Sequence, residues 1–403
     1  MKPRLLFVGV SPQAIHSGQG RVSQGLTQYW VQDYDTHIAG WGCVNETSTQ
    51  GCMTIHCNSE KWWEVIDEVN PDILFLSHDV WRFPQLPDVR KSFPNIKIVG
   101  YFTIDADPLA KDWLPSLNAC DVIVTPSVWG ANVILERFTS KPVLTIHNGL
   151  DLDIWKLNIL KDDAKLQVDT AISNLENVKS VVYLKDKFII LFCGTNYDKK
   201  NLSALMDAYT RFCFTVDDTF LFIVTHNNFS NIYGQDVMRG CNFSDTYAWC
   251  GIKDKYRVVD KVFTDTELAR IYSISDCVVM PTMGEGFGLP VIEAMASDSM
   301  PIISNYSACV ELAPNFIPIN ISAFQRVAWN AKRSIVSSLD IYNALYQAYN
   351  IWKNNRGEWY KLISENKVVV DKFSWGRSAA SFNILFKSVI NNDFMYNLDL
   401  RRL

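Results

Sequence analysis

No C-x-x-C pair occurs among the ten cysteines (43, 52, 57, 120, 193, 213, 241, 250, 277 and 309) of this 403-residue chain. Neither a zinc site nor a dithiol redox motif is therefore supported. Cys193 and Cys277 lie inside apolar strand-like runs and read as small core residues. No apolar run approaches the roughly 18 residues that a membrane-spanning helix needs. The opening "MKPRLLFVGVSPQ" has only a short apolar stretch, which reads as a first strand rather than a signal peptide. A cytoplasmic, reducing setting is the expectation. The chain also lacks an excess of positive charge: its formal net charge of −5 argues against a nonspecific nucleic-acid binder, while leaving room for a local basic groove. Repeats of solenoid length and low-complexity tracts are missing too.

What is present is apolar mass. Hydrophobic residues make up 48% of the chain, with 13 tryptophans, and the length suits two domains. Strand-like and helix-like stretches alternate. A first set of strands reads "RLLFVGV" (4–10), "HIAGWG" (37–42), "DILFLS" (72–77), "KIVGYFT" (97–103), "DVIVTP" (121–126) and "VLTIHNG" (143–149). A second set reads "FIILFCG" (188–194), "FLFIVTH" (220–226), "VDKVF" (259–263), "CVVMPT" (277–282) and "PIIS" (301–304). Such alternation predicts parallel sheets covered by helices on both faces. The polar stretch 156–187 separates the sets and predicts a boundary with some local helix. The domains expected are 1–158 and 184–375. Two doubly wound domains place a ligand cleft at the carboxyl ends of their strands.

The candidate chemistry falls at those ends. In "GEGFGLPVIE" (284–293), Glu285 and Glu293 stand eight apart around Gly286 and Gly288, between a strand and a helix with Pro290 in its first turn. Glycines let a ligand approach bare backbone, and a helix N-terminus offers unpaired N–H groups. Two carboxylates there could cradle a sugar at one end and a ribose at the other; a capping turn with a solvated glutamate is the plainer use. "CGTNYDKKNLSALMDAY" (193–209) puts Lys199 and Lys200 at a helix start, an unfavourable place for cations unless an anion such as a diphosphate is near. "SPQAIHSGQGRVSQGL" (11–26) offers Gly18 and Gly20 as a loop for phosphate, with Arg21 at the helix start, or merely a turn. Asp105 and Asp107 end another strand, where they would orient a sugar hydroxyl or cap a helix. His78 closes a strand on the cleft side. His147 reads rather as a hydrogen-bonded turn histidine. The strings Asp105-Ala-Asp107 and Asp151-Leu-Asp153 resemble metal-binding triplets, but lysines are available for the phosphate charge, so a metal-free site without a cofactor is the expectation.

Together these stretches resemble the retaining glycosyltransferases of the GT-B fold, specifically family 4 (glycosyl transferases group 1). "LARIYSISDCVVMPTMGEGFGLPVIEAMAS" (268–297) is similar to that family's E-x7-E region, and "DVIVTPSVWG", "TIHNGLDLDIW" and "KKNLSALMDAY" follow in its order. The resemblance implies two Rossmann-like domains facing across a cleft, with a final helix (about 376–403) crossing back onto the first. It implies a UDP- or GDP-linked sugar donor and a carbohydrate or glycoconjugate acceptor. Glu293 would bond the ribose, and Glu285 with the N–H groups of Gly286, Phe287 and Gly288 would hold the transferred sugar beside Leu289. Lys200, with Lys199, would neutralise the leaving diphosphate. Thr195 stands where the family usually has an arginine, a charge Arg21 could supply. Thr103 stands where it often has a histidine, and Asp105 would take over that positioning, with His78 and Asp107 on the acceptor side. Two rivals stay open: an inverting transferase or sugar-phosphate epimerase, and a nucleotide-sugar-binding protein without catalysis.

Overall fold

The computed structural model describes residues 2–14, 17–42, 48–50, 53–56, 61–157, 159–173, 183–225, 241 and 250–393. The chain divides into two compact units, one of Met1–Asp151 with Arg326–Lys332 and Lys372–Leu403, the other of Leu152–Gln325 with Arg333–Asp371.

The first unit holds an eight-stranded sheet: β1 (Arg4–Val10), β2 (Asp35–Trp41), β3 (Ser48–Gln50), β4 (Met53–His56), β5 (Ile73–His78), β6 (Lys97–Phe102), β7 (Val122–Thr125) and β8 (Val143–Thr145). Its order is β3-β4-β2-β1-β5-β6-β7-β8, parallel except where β3 pairs antiparallel with β4 at the edge. Parallel strands buried on both faces read as continuous apolar runs, which is why β1, β5 and β6 are legible as "LLFV", "ILFL" and "KIVGYF". The helices are α1 (Gly18–Trp30), α2 (Glu64–Val69), α3 (Leu86–Ser92), α4 (Leu114–Ala119) and α5 (Val128–Leu135). The last helix among the described residues (Trp375–Asn391) packs on α1. The indole of Trp375 lies where a Cβ on Gly25 would stand, 2.3 Å away. Trp30, Phe75 and Phe382 meet edge to face at 5.1–5.7 Å. Such pairs add roughly 0.5–1.5 kcal/mol each beyond their burial.

The second unit has β9 (Phe188–Cys193), β10 (Thr219–Thr225), β11 (Tyr256–Asp260), β12 (Cys277–Met280), β13 (Met300–Ser304) and β14 (Ile317–Ile319) in the order β11-β10-β9-β12-β13-β14, all parallel. A hairpin, β15 (Ala323–Arg326) with β16 (Lys332–Ile335), follows. Its helices are α6 (Leu152–Trp155), α7 (Lys161–Ser173), α8 (Leu202–Thr215), α9 (Asp265–Ile274), α10 (Leu289–Ala296), α11 (Ser338–Asn354) and α12 (Arg356–Val369), which makes the terminal helix α13. Inside the polar stretch, α7 is anchored by two lysines, of which Lys165 is buried. Lys165 Nζ lies 2.7 Å from Asp276 Oδ2, and Lys161 Nζ donates to the carbonyls of Ser273, Ser275 and Ser297. Burial pushes the Lys161 ammonium down to about 8 despite the Asp276 charge.

Numbered from its first strand, the second sheet has the order 3-2-1-4-5-6, the doubly wound arrangement; β4-β2-β1-β5-β6-β7 repeat it in the first sheet, with β3 added at one edge and β8 at the other. Its topological switch point lies between β1 and β5 in the first unit and between β9 and β12 in the second. Three local readings change. The strand expected over 259–263 is β11, three residues earlier, because Thr264 and Glu267 form a reciprocal cap that starts α9 and fixes the preceding residues as loop. The short strands β3, β4, β15 and β16 had no apolar run to announce them, and β14, within the run Phe316–Ile319, was not expected either. Gly18 and Gly20 are no loop: both lie in the first turn of α1, where Ser17 caps the helix and accepts the Gly20 N–H at 2.9 Å. Gly20 is required by close packing, since a Cβ there would stand 2.0 Å from the Ala14 carbonyl oxygen.

Candidate active site

In the second unit the loops after β9 and β12, the two strands flanking the switch point, converge. After β9 the chain runs through Thr195 into a short 3-10 turn, Asp198–Lys200, before α8 begins. Its backbone is tied to the other loop: Met283 donates its N–H to the Lys199 carbonyl at 2.8 Å. After β12 comes "PTMGEGFG", ending at Gly288 with φ of +106°, where a Cβ would stand 2.6 Å from Cys309 Sγ. Only glycine fits there.

This meeting joins two residues 85 apart in sequence. Lys200 Nζ lies 2.5 Å from Glu285 Oε1, and the Thr282 hydroxyl donates to the same oxygen at 2.8 Å. The Glu285 N–H goes to Ser307 Oγ at 2.9 Å. Ser307 holds a left-handed φ of +64°, a conformation that costs a serine about 1–3 kcal/mol and is kept where the surroundings demand it. Glu285 is 9% exposed. Burial pushes its carboxyl up, but the charges of Lys200 and Lys199 and the two hydrogen bonds outweigh it and hold the carboxyl below the usual range. Burial likewise works against the Lys200 ammonium, and the Glu285 charge overcomes it and raises the group. Both therefore carry charge at neutral pH. Lys199 stands 5.8 Å over the Tyr197 ring. Cys309, beside the pair, is an inert thiol, pushed far up by burial and the Glu285 charge.

The two glutamates are not equivalent. Glu293 sits on the inward face of α10 with 0% exposure, next to Tyr272, whose phenol is pushed well up by burial, by Cys193 and by the Glu293 charge. Phe287 and Leu289 are buried as well.

In the first unit the expected residues also gather at carboxyl ends. Arg21 lies in the first turn of α1. His78 ends β5, its Nδ1 accepting the Asp79 N–H at 2.7 Å. Asp105 and Asp107 follow β6, and the Asp107 carbonyl accepts the Lys332 N–H. Thr103 accepts a hydrogen bond from the Gln19 side-chain amide at 3.0 Å. The His147 Nδ1 donates to the Pro126 carbonyl at 2.9 Å, the turn role expected of it. Among the described residues no cluster of three or more His, Cys, Asp or Glu side chains could hold a metal ion, and no helix is long and apolar enough to cross a membrane. Sequence reasoning missed Thr282, Ser307 and Gln19. A hydroxyl two residues past a strand end was the only available signal for Thr282.

Residues 175–318 match the family described as "Glycosyl transferases group 1". A glycogen synthase of Trichodesmium erythraeum is 24% identical over 284 residues, covering 66% of this chain and 55% of that protein. The serotype-specific mannosyltransferase WbdA of Escherichia coli is 23% identical over 145 residues, 36% of this chain and 17% of that one. The chain thus spans about half the length, or less, of these curated relatives. Among solved structures, Anabaena Alr3699/HepE in complex with UDP-glucose superposes with a TM-score of 0.70 at 10% identity, covering 96% of this chain and all of that one. The fold is accordingly GT-B, built of two Rossmann-like α/β domains.

Proposed function

We propose that this chain is a glycosyltransferase that moves a sugar from a UDP- or GDP-linked donor to a hydroxyl of a carbohydrate or glycoconjugate, with retention of anomeric configuration. The observation that carries the reading is the Lys200–Glu285–Thr282 constellation at the switch point of the second unit, inside the segment that matches the glycosyl transferases group 1 family. The relatives named above act on or bind nucleotide sugars or glycans by their names, which supports the donor class.

The geometry suggests a charge exchange. As the bond from the anomeric carbon to the diphosphate oxygen breaks, its electron pair leaves on the phosphate. The acceptor oxygen bonds that carbon, and the acceptor proton passes to the leaving phosphate. Lys200 stabilises the new charge, an interaction worth about 3–4 kcal/mol by analogy with oxyanion donors. To do so it turns from Glu285 to the phosphate. Glu285, still held by Thr282, then accepts hydroxyls of the transferred sugar, and the N–H groups of Gly286, Phe287 and Gly288 lie along the same loop. The family's ribose role falls on Glu293, which has to be uncovered from its place beside Tyr272. No metal ion enters this scheme. A reducing, cytoplasmic setting belongs to it, supported by the buried free thiols of Cys120, Cys213, Cys241, Cys277 and Cys309.

An inverting mechanism would need a base at the acceptor, and His78 is poorly disposed for it. Its Nδ1 accepts a backbone N–H, which leaves the proton of a neutral ring on Nε2. Incubation with UDP-glucose, ADP-glucose and GDP-mannose, scored by nucleoside diphosphate release, tests the reading, and NMR of the product anomer tests retention. Failure to release diphosphate from any donor, with or without acceptor, would leave a binding protein.

A further inference from the structure

Glu285 carries its carboxylate on a backbone flanked by Gly284 and Gly286, which by themselves resist rotation little. The turn that follows β13 holds it through three bonds. Ser307 Oγ accepts the Glu285 N–H at 2.9 Å, the Ala308 N–H reaches the Glu285 carbonyl at 3.3 Å, and Cys309 Sγ lies 3.6 Å from the Phe287 carbonyl oxygen. All three residues of that turn are buried. Ser307 is its unusual member. The other described non-glycine residues with positive φ are Asn70, Asn201, Asp298, Asn330 and Asn392, the residue types that tolerate it. Ser307 combines φ of +64° with ψ of −159°, a region that only glycine populates readily. Glycine would hold this turn without strain. What the serine adds is its hydroxyl, and that hydroxyl meets the Glu285 N–H.

We propose that Ser307 is a positioning residue for the transfer: its hydroxyl fixes the Glu285 backbone, so that the carboxylate is aimed at the transferred sugar before the donor arrives. This assignment rests on the transferase reading above. Lys200 and Thr282 both hold the carboxylate at Oε1. Lys200 leaves it on turning to the phosphate. From then on the carboxylate depends on Thr282 at the side chain and on Ser307 and Ala308 at the backbone. Loss of the Ser307 hydroxyl therefore acts on the geometry of the reacting complex rather than on nucleotide binding.

Two variants of the full chain separate positioning from stability. Ser307→Gly and Ser307→Ala both remove the hydroxyl, but only glycine also relieves the strain, so Ser307→Ala should have the lower urea midpoint of the two. Turnover should nevertheless fall about tenfold in both, the loss of one hydrogen bond, with whichever of UDP-glucose, ADP-glucose and GDP-mannose the parent uses best. Affinity for UDP or GDP in calorimetry should stay within about threefold of the parent, the split expected of an interaction that counts only in the reacting complex. Hydrogen–deuterium exchange of residues 281–289, without ligand, should quicken in Ser307→Gly. Parental turnover in Ser307→Gly, with a loss only in the less stable Ser307→Ala, overturns the positioning role and leaves the transferase reading intact. Unchanged exchange in Ser307→Gly overturns the backbone contact itself. Quickened exchange, in a chain whose parent releases diphosphate from none of the donors, sinks the transferase reading and the positioning role with it, and leaves a structural contact.

Discussion

Replacing Glu285 by glutamine separates the two jobs of the constellation. At 2.5 Å and an effective dielectric of about 20, the Lys200–Glu285 attraction is on the order of 7 kcal/mol. Most of that is offset by the loss of hydration, and a hydrogen bond to a charged group is worth about 1.5–3 kcal/mol net. A diphosphate that recruits Lys200 has to overcome this remainder. Glutamine keeps the shape and still accepts the Thr282 hydroxyl, but it no longer holds the ammonium by charge. Glu285→Gln is therefore expected to bind UDP or GDP more tightly, by roughly 10- to 100-fold. Turnover should fall at the same time, because the carboxylate that holds the transferred sugar is gone. Calorimetry with the nucleoside diphosphate and steady-state turnover of the same preparation read both quantities. A variant that binds the diphosphate no tighter than the parent would refute the exchange, whatever its turnover.

Other expectations follow from the same geometry. Glu293→Ala should weaken nucleotide binding while the protein stays folded; unchanged affinity in calorimetry would remove the ribose assignment and leave Glu293 as a buried partner of Tyr272. Turnover should survive excess EDTA, and loss of activity restored by magnesium or manganese would return Asp105 and Asp107 to the list of metal ligands. Lys165→Met strands the Asp276 carboxylate in the interior and should cost about 3–5 kcal/mol in urea unfolding, whereas Lys165→Met with Asp276→Leu should recover most of it. The Glu285 carboxyl is depressed in the folded state, so its contribution to stability is present above the ordinary value of 4.5 and is lost as pH falls through the lower folded value. Glu285→Gln should flatten that acid limb of the stability curve, and an identical limb would show that the pair adds no stability.

The alternation of apolar runs made the two sheets legible, because parallel strands buried on both faces carry no polar interruptions: "ILFL" and "CVVM" are β5 and β12 almost to the residue. β4, "MTIH", lies one strand from the sheet edge and mixes polar residues in, so nothing in its run distinguishes it from loop. The glycine loop before α10 was legible for a local reason, the need for a bare backbone at Gly288. The Lys200–Glu285 pair was not, since its partners are joined only by the packing of β9 against β12. Gly20 shows the reverse failure. A G-x-G string suggested a phosphate loop, while the structure uses its second glycine to bring a helix against the Ala14 carbonyl.

The proposed transfer requires that a nucleoside diphosphate bind at the carboxyl ends of β9 and β12. Hydrogen–deuterium exchange of the full chain with and without saturating UDP or GDP reads this directly. Added protection is expected in residues 194–202 and 281–289, reduced in Lys200→Ala. Protection confined to other segments, or none in a protein shown by calorimetry to bind the nucleotide, would contradict it.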